Sequence, residues 1–191
     1  NEKATEDDIA NMADIVRDGI EAGALGFTTS RTELHTPRED EAMPGTYADE
    51  GELLGIGKAI GDIGKGIYGV VSDWDNWEEE MDWMKRLSIA NNCQINFVLF
   101  FREESDWPRV KAQLEFVREA RKEGAQLIPH VGARPVNLLL SWDGTIHPFS
   151  FHANYGPLSL MSHEERLAEL RKPELREAIL AEDLPLMGDD F

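Results

Sequence analysis

Histidine, serine and arginine side chains recur in this chain at the ends of short apolar runs. His130 closes the run 125–131, where an imidazole can act as a general base or a metal ligand. A ring hydrogen-bonded to a neighbouring loop is the other reading of that position. Ser30, Arg31, Glu33 and His35 follow the run 24–29, Ser72 and Asp73 follow 67–71, and Arg102 and Glu103 follow 94–101. Arg134 lies just beyond His130. Arg31 and Arg134 each offer a planar fork of donors that can grip a substrate carboxylate or brace a loop through backbone carbonyls. His147 and His152 flank Phe149 and Phe151, and without a third close ligand they are read as packing residues.

The familiar catalytic signatures are absent. The chain has no His-x-His, no His-Glu-x-x-His, no Gly-x-Ser-x-Gly and no phosphate-binding glycine loop. Gly55, Gly57, Gly61, Gly64, Gly66 and Gly69 fall within and after a helical pattern, whereas a dinucleotide site needs them between strand and helix.

The elements that must position these residues follow from apolar periodicity. Ile9, Met12, Ala13, Val16 and Ile20 share one face of a helix over 5–22, with Thr5-x-x-Asp8 to cap it and Gly23 to end it. A buried strand at 24–29 follows, then a long polar connection over 30–47. The alternation continues with helix 49–63, strand 67–71, helix 77–91, strand 94–101, helix 105–122 and strand 125–131. Short apolar runs alternating with helices predict β/α units on a parallel sheet, with chemistry at the carboxyl ends of the strands. Beyond 134 the rhythm fails. That stretch reads as an insertion packed by its own apolar residues, with two short helices started by Ser162-x-x-Glu165 and Pro173.

The fold expected is therefore α/β: a partial (β/α)₈ TIM barrel with parallel strands, four to five β/α units, plus a C-terminal helical insertion. Residues 1–133 form the units and 134–191 the insertion. A closed barrel needs roughly 250 residues, so with 191 the chain is expected to continue beyond both ends in its parent protein.

Composition narrows the partners. Against 37 acidic side chains stand 19 basic ones, a formal charge of −18 that repels nucleic acid and anionic membranes. Runs such as Glu78, Glu79 and Glu80 are expected to be solvated helix faces. No apolar stretch approaches the ~20 residues of a membrane span. The single cysteine, Cys93, allows no internal disulfide or thiolate cluster, and fits a buried structural thiol and a cytoplasmic location.

The segment Glu21-Ala22-Gly23-Ala24-Leu25-Gly26-Phe27-Thr28-Thr29-Ser30-Arg31-Thr32, with Pro44-Gly45-Thr46-Tyr47-Ala48 and Glu52-Leu53-Leu54, resembles the N-acyl-D-amino-acid deacylase (D-aminoacylase) branch of the amidohydrolase superfamily. The resemblance runs on through Gly66-Ile67-Tyr68, Ile95-Asn96-Phe97, Arg134-Pro135 and Asp143-Gly144-Thr145-x-His147-Pro148-Phe149. It implies a distorted (β/α)₈ barrel that uses one or two divalent metals, usually zinc, to hydrolyse carbon–nitrogen bonds other than peptide bonds in N-acyl compounds. It also implies metal-binding histidines late in the second and third strands. Aligned there are Val71 and Leu99, which cannot bind zinc, with Asn96 and Ser72 nearby as poor substitutes. No metal ligand carries over, so zinc or another divalent metal would be held by residues elsewhere in the full-length protein.

Two functions follow as expectations. One is a hydrolase of a small-molecule amide, inactive as this segment alone, with His130 catalytic and Ser30, Arg31, His35 and Arg134 binding substrate. The other is a catalytically inactive relative serving as a scaffold or ligand-binding subunit. In either case the open sheet edges would be covered by the remainder of the barrel or by a second copy.

Overall fold

The computed structural model describes residues 3–33, 35, 43–101, 104–134, 139–144 and 147–182. It divides into two compact units, Asn1–Ala133 and Arg134–Phe191.

In the first unit, helix α1 (Glu6–Glu21) starts where Thr5 and Asp8 cap each other: the Thr5 hydroxyl accepts from Asp8 N at 3.2 Å and the Asp8 carboxylate accepts from Thr5 N at 2.9 Å. Its apolar stripe buries Ile20, and the chain leaves it through Gly23 at φ 116°, in the left-handed region. Strand β1 (Gly26–Arg31) follows, then helix α2 (Glu50–Ile63), strand β2 (Ile67–Ser72), helix α3 (Trp77–Asn91), strand β3 (Gln94–Val98), helix α4 (Trp107–Lys122) and strand β4 (Gln126–His130).

The four strands lie in sequence order, β1-β2-β3-β4, and every neighbouring pair is parallel. β1 sits two residues later than its apolar run, so Ser30 and Arg31 belong to the strand and not to the connection after it. β3 is shorter than its run, ending at Val98.

Successive strand residues point to opposite faces. Tyr68, Val70, Ile95, Phe97 and Leu127 are buried in one core together with Leu53, Ile56, Met84 and Leu87 from the helices. On the other face the register places Thr28, Gly69, Asn96 and Ile128 in one row. One step toward the carboxyl ends, Ser30 lies beside Val71, and Val98 beside His130.

Helices α2 and α3 approach closely because glycines face the contact. A Cβ on Gly57 would lie 2.4 Å from Leu87 Cδ1, and one on Gly61 would lie 2.6 Å from the Asn91 carbonyl oxygen. These glycines thus serve helix packing.

The second unit contains a 3₁₀ turn at Gly156–Leu160 and helices α5 (His163–Leu170) and α6 (Pro173–Leu180). Ser162 and Glu165 form the capping box at the start of α5, as the spacing predicts. Tyr155, Leu158 and Ile179 make a small core with Phe149, Met161, Leu170 and Leu175. Trp142 stacks on Phe149 at 5.7 Å and on Tyr155 at 5.4 Å. Self-packing is partial, since Leu139 is fully exposed. Among the described residues no helix is long and apolar enough to cross a membrane.

Candidate active site at the strand ends

Because β1 runs through Ser30, its alternation sends Ser30 and Arg31 to opposite faces. Ser30 lines a cavity of about 600 Å³ on the face away from the helices, together with Thr28, Val71, Asn96, Val98 and His130. His35, five residues on, lines the same cavity, and its Nδ1 lies 2.7 Å from the Ser30 hydroxyl oxygen. The structure therefore brings Ser30 and His35 together from the expected set, while His130 lines the same cavity from β4, with Val71 and Val98 between it and Ser30.

What holds this mouth is a clasp between the ends of β1 and β2. The Thr32 hydroxyl and the Glu33 amide both donate to the Asp73 carboxylate, the latter at 2.9 Å. Tyr47 in turn donates its phenol to Glu33, and that hydrogen bond holds the phenol above its ordinary range. Asp73, a strand-end candidate, thus anchors the turn that separates Ser30 from His35. Trp74 follows with φ 69°, buried against Phe97, and its indole N–H donates to the Val98 carbonyl at 3.1 Å. β2 and β3 are thereby tied at the rim of the cavity.

Arg31 faces the helices instead. Its guanidinium donates to both carboxylate oxygens of Glu80 at 2.8 to 3.0 Å and to the Ala48 carbonyl at 2.8 Å. The fork foreseen for a substrate carboxylate is filled by the protein's own. Glu80 is correspondingly not a solvated residue: its side chain is 13% exposed, against the expectation drawn from its acidic run. Nothing local marks it, because its partner lies 49 residues earlier in the chain. Arg134 is exposed at the start of the second unit. Arg102, Glu103, Pro135 and Thr145 lie outside the described residues.

His147 and His152 are buried in the second unit, where His147 Nδ1 accepts from Phe149 N at 3.2 Å. Burial, with Arg166 and His152 nearby, lowers the His147 pKa from its ordinary value.

The described lining of the cavity does not by itself make a divalent metal site: His35 and His130 are its two side chains of metal-binding type. Val71 and Val98 occupy the cavity-lining strand ends between Ser30 and His130. Leu99, where the resemblance implied a metal-binding histidine, lies in the helix-side core at 7% exposure while its amide donates to the His130 carbonyl at 2.8 Å. At the carboxyl end of β3 the residue that meets the cavity is Val98, which also has no lone pair to give, with Asn96 one row below it. Among the described residues no three His, Cys, Asp or Glu side chains gather to hold a metal ion.

Neither a family model nor a curated protein matches the chain. Solved structures do match its fold. N-acyl-D-glutamate deacylase from Bordetella bronchiseptica, complexed with zinc and a phosphonate mimic of the tetrahedral intermediate, aligns over 70% of this chain at 20% identity and TM-score 0.55. A D-aminoacylase with a binuclear metal centre aligns over 70% at 18% identity and TM-score 0.53. Another D-aminoacylase structure, which defines a subset of amidohydrolases, aligns over 70% at 17% identity and TM-score 0.51. The chain covers 27%, 26% and 26% of those three chains, about a quarter of each. The architecture predicted from the apolar pattern is the one observed in the first unit: four parallel strands alternating with helices, a partial α/β barrel arrangement like that in these solved structures.

Proposed function

We propose that this chain is part of a hydrolase acting on amide bonds of N-acyl compounds, N-acyl-D-amino acids foremost. The observation that supports this reading is that Ser30, His35 and His130 line the carboxyl-end part of one cavity on the inner face of the parallel strands, the end where such folds carry their chemistry. In this reading His130 stands at the mouth as an acid or base toward the substrate, and the Thr28 and Asn96 side chains supply polar contacts below it. The free edges of β1 and β4 are completed by the rest of the barrel, or by a second copy of the chain.

The test is hydrolysis of N-acetyl-D-amino acids by the full-length protein, with metal content measured on the same preparation. Release of free amino acid supports the reading, and His130→Ala is expected to lower turnover by ~100-fold. A folded full-length protein that cleaves none of a panel of N-acyl amino acids favours the second reading, a non-catalytic relative. That alternative rests on Val71 and Val98, apolar where metal-dependent chemistry would want ligands.

A further inference from the structure

We propose that Ser30 and His35 form a nucleophile–base pair, so that acyl transfer at this cavity proceeds through an ester on Ser30. This rests on the amide-hydrolase reading above for its substrate class, and it supplies chemistry at a mouth whose own strand ends offer no metal set.

Three observations carry it. The Ser30 oxygen and His35 Nδ1 are 2.7 Å apart, the separation over which a base takes a hydroxyl proton. Both residues line one cavity, so the activated oxygen faces space that a substrate can enter. The turn between them is fastened at Thr32 and Glu33 to Asp73, which holds the histidine folded back on the serine.

With His35 protonated on Nε2, the Ser30 hydroxyl donates to Nδ1. The serine oxygen bonds to the acyl carbon while its proton passes to Nδ1. The carbon–nitrogen bond then breaks and that proton moves to the departing nitrogen, leaving an acyl ester and a free amine. A water next attacks the ester carbon and gives one proton to Nδ1. The Ser30–acyl bond breaks, the serine oxygen takes the proton back, and the carboxylic acid leaves. The sum is amide plus water giving acid plus amine.

The experiment treats the full-length protein with a fluorophosphonate probe and locates the label by peptide mass spectrometry. The expected result is label on Ser30, formed ~100-fold more slowly in His35→Gln, with the pH dependence of labelling abolished in that variant while circular dichroism is unchanged. Absence of label on Ser30, or an unchanged labelling rate in His35→Gln, overturns the pair. Undiminished N-acetyl-D-amino-acid hydrolysis by Ser30→Ala also overturns it, yet leaves the amide-hydrolase reading standing. Label on Ser30 in a protein that hydrolyses no N-acyl amino acid does the reverse: the pair stands and the substrate class falls.

Discussion

Arg31 and Glu80 meet in a two-pronged ion pair between β1 and α3, with side chains only 17% and 13% exposed. The Arg31 guanidinium also lies 5.9 Å from the centre of the Trp83 ring. An arginine so held cannot turn to a ligand on the opposite face of the sheet.

Removing one partner leaves the other charge without its mate where water reaches it poorly. Glu80→Gln is expected to destabilise the first unit by about 3 kcal/mol in urea denaturation. If Arg31 were instead reserved for a substrate carboxylate, the variant would unfold at the wild-type midpoint.

The glycine seam between α2 and α3 makes a prediction against helix propensity. Alanine in a helix gains about 1 kcal/mol over glycine, but a Cβ on Gly61 would meet the Asn91 carbonyl oxygen and Cβ at 2.6 Å. Gly61→Ala should therefore be net destabilising by about 1–2 kcal/mol, since backbone must move to admit the methyl group. A raised urea midpoint would show that the helices part without cost.

Cys93 is buried at 4% exposure, and burial pushes its thiol up to about 11. It should stay unreacted with a disulfide reagent at pH 8 in the folded protein and react fully once unfolded. Rapid modification of the native protein would contradict the burial of Cys93 in the helix-side core.

The second unit should weaken in mild acid. His147 is held below its ordinary value by burial first, then by Arg166 and His152, so the unfolded chain binds the proton more readily. Stability is intact above the unfolded value near 6.5 and falls as pH drops through it, levelling off once the folded ring also takes its proton. Protection factors of the amides in α5 and α6, the intrinsic exchange rate at each pH over the observed one, should fall between about pH 7.5 and 5 in the wild type. In His147→Asn, which keeps an acceptor near the Phe149 amide, the pH dependence should flatten.

The β/α alternation was legible from the residues alone, because burial of a strand or a helix face writes its period into the chain. Thr5 with Asp8, Ser162 with Glu165 and Gly23 marked element ends through interactions that span a few residues. The same local rules placed Ser30, His35 and His130 near strand ends, where a parallel sheet gathers its chemistry. Tertiary structure alone decided the face on which each side chain lies. The extension of β1 through Arg31 brought Ser30 and Arg31 into its alternation, the one onto the cavity and the other toward Glu80, and the end of β3 gave the cavity Val98 in place of Leu99. Side-chain direction in a strand has a period of two, so an error of one residue reverses it. Pairings such as Arg31 with Glu80, 49 residues apart, leave no local trace, because they exist only after the sheet and helices have met.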